Sequence, residues 1–143
     1  GVTNDPRYSK IVPDFAFSLH NLPGVPFGGV LAETIKALGV SPSELLAWLG
    51  PAIEQDAFEV GPEVREQFVT RDPNHAGAFQ NNTRGRWQAD IYQLARNELA
   101  RFGVTAVHGG GFECFADSER FFSYRRVQRT GRMATLAWLA ASP

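Results

Sequence analysis

Arginines and aromatic residues are concentrated in residues 121–132 (FFSYRRVQRTGR) of this 143-residue chain, where four arginines and three aromatic rings lie within twelve positions. An arginine guanidinium binds carboxylate or phosphate through two parallel hydrogen bonds, and flat aromatic faces can stack on a purine ring. The stretch therefore predicts a site for a small anionic or nucleoside-like ligand. An outer strand face with solvated arginines and buried phenylalanines is an equally good explanation of this composition.

A histidine near the start of the chain is a second candidate for chemistry. His20 ends the apolar run of residues 15–20 and precedes a loop rich in proline and glycine. Open sheets often place ligands at such a transition, where a neutral imidazole can bind a metal or act as a base. A strand-end histidine hydrogen-bonded to the backbone is the alternative interpretation.

A third cluster combines His108, the glycine triplet at residues 109–111 and Cys114. Glycine backbone can approach a ligand closely and offer N–H groups, and a reactive cysteine needs a pKa lowered by nearby positive charge. A cysteine-dependent hydrolase or transferase using Cys114 and His108 is one hypothesis, and a buried structural cysteine is the other. The sequence contains no Cys-x-x-Cys or His-x-x-x-His pair, so local spacing alone assembles no metal site.

Charge and length limit the classes of partner. Lys and Arg number 14 and Asp and Glu 15, so the formal net charge is 14 − 15 = −1, which offers no basic field to a nucleic acid polymer or an anionic membrane. The longest apolar stretches, residues 45–53 and 133–141, are well short of the roughly 20 residues that span a bilayer. A single cysteine fits a reducing compartment, and no signal or transit pattern opens the chain. We therefore expect a cytoplasmic protein.

Helical and strand patterns alternate along the chain and predict an α+β (mixed α/β) fold, with mixed β-sheet layers packed against helices. Residues 1–13 are expected to form a polar N-terminal segment and residues 14–143 a single domain. Ser41, Pro42 and Glu44 form the start signal of a helix, and residues 48–53 form either its end or, as we favour, the next strand. The other expected elements are a strand at residues 15–20, helices at 30–38, 62–69 and 87–102, a surface excursion at 70–85, and strands at 104–108 and 133–139.

Several segments taken together resemble the laccase-domain family of bacterial YfiH-type proteins. They are residues 46–53 (LAWLGPAI), 57–61 (AFEVG), 89–95 (ADIYQLA), 121–126 (FFSYRR) and 130–134 (TGRMA). Their order and spacing agree with the family. The resemblance covers roughly residues 15–139 and corresponds to the C-terminal portion of a family member, so we expect a truncated form of the laccase-domain fold.

The resemblance implies an activity. Family members were first called polyphenol oxidases and are associated with purine nucleoside phosphorylase, methylthioadenosine phosphorylase and adenosine deaminase activity, with zinc or copper bound. The chain would thus be a metal-dependent enzyme that acts on adenosine, inosine or methylthioadenosine, with phosphate as the second substrate. Tyr124, Arg125 and Arg126 are the substrate-side residues that the resemblance implies.

The family's metal site resembles a set of two histidines and one cysteine. The histidine of its His-Ala-Gly-Trp-Arg-Gly motif corresponds to His20, which stands nine residues before Gly29. Pro23 and Gly24 occupy the motif's tryptophan and arginine positions. The other two ligands belong to the N-terminal half of family members, and Cys114 lies in a different segment.

The alternative to the enzyme is a catalytically incompetent, truncated or degenerate domain that folds and self-associates. Removing half of a shared core leaves apolar surface exposed, and such surface commonly becomes an oligomer interface. A homo-oligomer, or association through an exposed apolar face, is therefore expected.

Overall fold

The computed structural model describes residues 29–134. The predicted strand at residues 15–20, His20 and residues 135–139 of the predicted C-terminal strand lie outside this range. The helices are α1 (Gly29–Leu38), α2 (Pro62–Arg71) and α3 (Ile91–Arg101), and the strands are β1 (Leu46–Leu49), β2 (Glu59–Val60), β3 (Phe79–Asn81), β4 (Trp87–Ala89) and β5 (Ala106–Gly109). Short 3-10 helices cover Pro42–Glu44, Gln55–Ala57 and Pro73–Ala78.

The strands form two small sheets of different type. β1 pairs in parallel with β5, from Leu46 opposite Ala106 to Leu49 opposite Gly109. The other sheet is antiparallel, with strand order β2-β4-β3. Helices packed with sheets confirm the predicted α+β class, and within the described residues the parallel and antiparallel pairings occur in separate sheets.

Local signals account for the ends of the helices. Gly39 follows α1 and Gly103 follows α3, with φ angles of 66° and 85° that suit glycine. The Asp90 carboxylate caps α3 by accepting a hydrogen bond from the Gln93 N–H at 2.9 Å. Pro62 stands at the first position of α2.

Two apolar clusters fill the interior. One lies between the antiparallel sheet, α2 and α3, and includes the fully buried Phe68 and Leu94. The other joins Leu31 of α1 and Leu99 of α3 to the inner face of the parallel sheet, which Ala47, Leu49 and Val107 form. α3 thus contributes to both clusters and connects them.

The predicted helix from Ser41 is wrong beyond its first turn. Its start signal is present, since the Glu44 carboxylate accepts a hydrogen bond from the Ser41 N–H at 3.3 Å. The helix ends there because Leu46 enters β1 and pairs with β5. Leu46 and Trp48 lie at the exposed positions of β1 and are 61% and 47% exposed.

The prediction of a surface excursion at residues 70–85 is also wrong in part. These residues contain the end of α2, a 3-10 helix and β3, and they bury His75, Ala78 and Phe79. The helix predicted at residues 87–102 begins later, because residues 87–89 form β4 and pair with β2 and β3. Residues 121–132, for which an outer strand face was an alternative, contain no strand, and residues 124–126 form a turn.

Candidate active-site segment

The three predicted substrate-side residues have different environments. The Tyr124 side chain is 64% exposed. Arg125 is also exposed, and its guanidinium carbon lies 5.3 Å from the centroid of the buried Phe58 ring. Such a cation–π contact holds one face of the Arg125 guanidinium near the ring, and its opposite face stays accessible. Arg126 is half-buried and turned into the protein.

Arg126 binds the chain's own backbone. Its Nη1 donates hydrogen bonds to the carbonyl oxygens of Cys114 and Phe115 at 2.9 and 2.6 Å, and its Nη2 donates to the Phe121 carbonyl at 2.7 Å. These bonds use three of the four N–H groups on the two outer nitrogens of the guanidinium. The structure therefore separates two adjacent arginines: Arg125 presents a free face to solvent, and Arg126 anchors the segment that carries it.

Glu54 holds the same turn from another direction. Its carboxylate accepts hydrogen bonds from the N–H groups of Phe115 and Ala116 at 3.3 and 2.9 Å. Arg126 and Glu54 thus both bind the turn at Cys114, Phe115 and Ala116.

Cys114 is the first residue of this turn and is buried. Burial raises the pKa of its thiol, the Glu54 carboxylate adds to this rise, and Arg126 partly opposes it. A raised pKa keeps the sulfur protonated and weakens it as a nucleophile. His108 is exposed on β5, and no hydrogen bond joins it to Cys114 within residues 29–134. The structure does not bring together the pair that a cysteine-dependent enzyme would need, and it agrees with a buried structural cysteine.

The side chains of Tyr92 and Arg96, both on α3, pack against the glycine turn that follows β5. The Tyr92 hydroxyl accepts a hydrogen bond from the Ala52 N–H at 2.8 Å and lies within hydrogen-bond distance of the Gly50 and Phe112 carbonyls. Arg96 donates to the Gly109 carbonyl at 2.7 Å. Burial is the main reason that the pKa of Tyr92 is raised, which favours its hydrogen-bonding neutral form.

The glycines of this turn are required by close backbone contact. Gly109 and Gly110 have φ angles of 77° and 81°, and a Cβ on Gly109 would clash with the Leu49 carbonyl. The Gly110 N–H donates to that same carbonyl at 2.9 Å. This N–H, which the sequence offered as a ligand donor, is used inside the fold.

A buried polar pair was not predicted from the sequence. His75 and Glu98 are both 0% exposed, and His75 Nε2 lies 2.8 Å from Glu98 Oε1. Arg71 Nη1 and Arg101 Nε each approach the Glu98 carboxylate to 3.5 Å. One signal was available, because Glu98 follows Leu94 and Ala95 at helical spacing and so falls on the apolar stripe of α3.

The described residues do not provide a metal site by themselves. Among residues 29–134, no group of three His, Cys, Asp or Glu side chains fits an ion. His20, the ligand that the resemblance implies, lies outside that range. Within the same range, no helix is long and apolar enough to cross a membrane.

Known proteins resemble this chain in sequence. Residues 26–140 match the model of a family described as multi-copper polyphenol oxidoreductase laccase. A purine nucleoside phosphorylase of Pseudomonas aeruginosa is 57% identical over 112 residues, which are 78% of this chain and 46% of that protein. The purine nucleoside phosphorylase YfiH of Escherichia coli is 50% identical over 78% of this chain and 45% of its own length. The chain therefore spans about half the length of these relatives.

Solved structures share the fold. A Neisseria meningitidis protein superposes with a TM-score of 0.67 at 49% identity, over 69% of this chain and 41% of that protein. The YlmD protein of Geobacillus stearothermophilus, at 20% identity, has the same fold with a TM-score of 0.61 over 71% of this chain and 38% of its own. By its match to the family model over residues 26–140, supported by these relatives, the chain belongs to the multi-copper polyphenol oxidoreductase laccase family, as its YfiH-type segments predicted.

Proposed function

We propose that this chain is the C-terminal part of a purine nucleoside phosphorylase in which Tyr124 and Arg125 contact the substrates. The single observation behind this assignment is the pairing of an exposed aromatic ring with an exposed, anchored guanidinium on one segment. The names of the P. aeruginosa and E. coli relatives support the reaction type. Inosine, adenosine and methylthioadenosine are the proposed nucleosides, with adenosine deamination as a further proposed activity.

Phosphorolysis moves one group between two small molecules. An oxygen of phosphate forms a bond to C1′ of the ribose, the bond from C1′ to the purine nitrogen breaks, and the base leaves with the bonding electrons and takes a proton. Arg125 would supply positive charge to the attacking phosphate, and the Tyr124 ring would stack on the purine. Arg126 would act on neither substrate, because its outer nitrogens already bind carbonyl oxygens.

A metal belongs to the proposal only through residues beyond those described. His20 is the proposed ligand for zinc or copper, and residues 29–134 add no cluster that fits such an ion. Metal analysis of the purified chain, with a His20→Ala variant as control, tests this part: stoichiometric zinc or copper that the variant loses would support it, and equal contents would contradict it.

The test of the proposed function is phosphate-dependent release of base from inosine and adenosine. We expect Arg125→Gln to lower kcat/KM by about tenfold or more, the effect of removing one charge-assisted contact of about 1.5–3 kcal/mol. Arg129→Gln is the matched control, because Arg129 is exposed in the same stretch and forms no hydrogen bond with another residue of the described range. Equal losses in both variants, or base release without phosphate, would contradict the proposal.

A second candidate function is self-association, which the outer face of the parallel sheet favours. Leu46 and Trp48 lie on this face and are 61% and 47% exposed, whereas parallel sheets are normally covered on both faces. We propose that a second copy of the chain covers them. Sedimentation analysis should show a dimer that Trp48→Ser dissociates and that Val127→Ser, a change at a residue 52% exposed elsewhere, leaves intact. A monomeric wild-type chain at high concentration would contradict this candidate.

A further inference from the structure

The turn at Cys114 is held between opposite charges. The Phe115 and Ala116 N–H groups donate to different oxygens of the Glu54 carboxylate. The Cys114 and Phe115 carbonyl oxygens both accept from Arg126 Nη1. The two consecutive peptide units are Cys114–Phe115 and Phe115–Ala116. In each of them the N–H donates a hydrogen bond to the Glu54 carboxylate, and the C=O accepts one from the Arg126 guanidinium.

Hydrogen bonds to two charged side chains, Glu54 and Arg126, hold the turn in place. Successive N–H groups that point the same way form a concavity that favours an anion, and hydrogen bonds to charged groups are stronger than neutral ones. Glu54 and Arg126 form no ion pair with each other within residues 29–134. The two peptide units lie between the two side chains and are hydrogen-bonded to both of them.

The two arginines of the candidate segment both connect it to the stretch that begins at Glu54. Arg126 does so through the turn that Glu54 binds, and Arg125 does so through its contact with Phe58. Only the 3-10 helix Gln55–Ala57 separates Glu54 from Phe58. Two independent contacts thus connect the segment that contains Tyr124 and Arg125 to residues 54–58. One runs through Arg126 and the Cys114 turn, and the other is the contact of Arg125 with Phe58.

We propose that Glu54 is a positioning residue for Tyr124 and Arg125, acting through the Cys114 turn and Arg126. The proposal rests on the proposed function in one respect, that Tyr124 and Arg125 contact substrate. Glu54 itself stays away from the reacting atoms, because both of its carboxylate oxygens bind the turn.

The experiment compares Glu54→Gln with Asp56→Asn in the full chain. Both substitutions remove one negative charge from the same short stretch. Asp56 is exposed, and its carboxylate binds no other residue within the part of the chain that the structure describes. NMR measures hydrogen exchange at the Phe115 and Ala116 amides and the chemical shifts of Tyr124 and Arg125. KM and kcat for inosine and phosphate are measured on the same samples.

In Glu54→Gln, one of the two N–H groups faces an amide NH2 instead of an acceptor. We expect exchange at that amide to rise at least about tenfold, which corresponds to ~1.4 kcal/mol. The Tyr124 and Arg125 signals should shift, and KM should rise several-fold while kcat changes less, because the displaced residues would bind substrate less well. Asp56→Asn should change none of these values.

Unshifted Tyr124 and Arg125 signals in Glu54→Gln, or equal shifts in Asp56→Asn, would overturn the proposal. If Glu54→Gln does not fold, Arg126→Lys decides the question, because lysine keeps the charge but cannot reach both the Cys114 turn and the Phe121 carbonyl. Unshifted Tyr124 and Arg125 signals there would overturn the proposal equally. An inactive wild-type chain would contradict the proposed function alone, since the exchange and chemical-shift readouts need no activity.

Discussion

Breaking the buried pair of His75 and Glu98 should cost far more stability than replacing both residues. The two side chains are fully buried and 2.8 Å apart, and the arginines near Glu98 stand at 3.5 Å, longer than a strong hydrogen bond. Glu98→Leu leaves the buried His75 Nε2 without its partner, and His75→Phe leaves a buried carboxylate without its closest contact. Removing one member of such a pair costs roughly 3–5 kcal/mol, so we expect about 3 kcal/mol for each single variant.

The double variant distinguishes this reasoning from simple loss of packing. With both polar groups gone, Phe and Leu side chains fill the space, and the partly exposed Arg71 and Arg101 can turn to solvent. We expect the double variant to cost no more than one single variant, about 3 kcal/mol, whereas independent effects would add to about 6 kcal/mol. Urea unfolding followed by circular dichroism measures all three. Single costs below about 1 kcal/mol, or additive costs, would refute the argument.

Other predictions concern Cys114, Tyr92 and the glycine turn. Because the pKa of Cys114 is raised, its alkylation in the folded chain should require more alkaline solution than alkylation of the urea-unfolded chain; faster reaction in the folded chain would contradict this. Tyr92→Phe should cost about 1–2 kcal/mol, since the hydroxyl accepts a hydrogen bond from the Ala52 N–H and donates to the Gly50 or the Phe112 carbonyl. A raised folded pKa means that the stability contributed by Tyr92 is complete below the unfolded pKa and is lost as pH rises through the folded value. Alkaline unfolding above about pH 10 should therefore be shallower in Tyr92→Phe, and an unchanged profile would argue against it. Gly109→Ala should cost more than Gly85→Ala, by about 1 kcal/mol or more, because both have positive φ but only Gly109 would meet a backbone carbonyl; equal costs would show that the contact has no energetic consequence.

Adjacent residues of the same type have different roles in this fold. The composition of residues 121–132 predicts a ligand site from four arginines together. In the structure, Arg126 binds backbone carbonyls, whereas Arg125 keeps its charge exposed above the Phe58 ring. The direction in which a side chain leaves a turn depends on backbone angles that residue type does not specify. The number of arginines therefore overstates how many can meet a ligand.

The sequence by itself determined the elements whose signals are local. The start and end of α1, the start of α2 and the glycine stop after α3 follow from periodicity, proline placement and positive-φ glycine, all within one or two turns of chain. The mixed α+β class and the family also follow from the sequence, because the YfiH-type segments occur in order along it.

Only the tertiary structure decided the features that depend on distant partners. Residues 46–49 form a strand in spite of a helix start signal, because β5, which lies 60 residues later in the chain, supplies hydrogen bonds. His75 is buried because Glu98 and Phe68 lie beside it, and Glu54 binds a turn more than sixty residues later in the chain. Caps and periodicity act between near neighbours, whereas strand pairing, the buried His75–Glu98 contact and the hydrogen bonds of Glu54 form only after the chain has brought distant segments together.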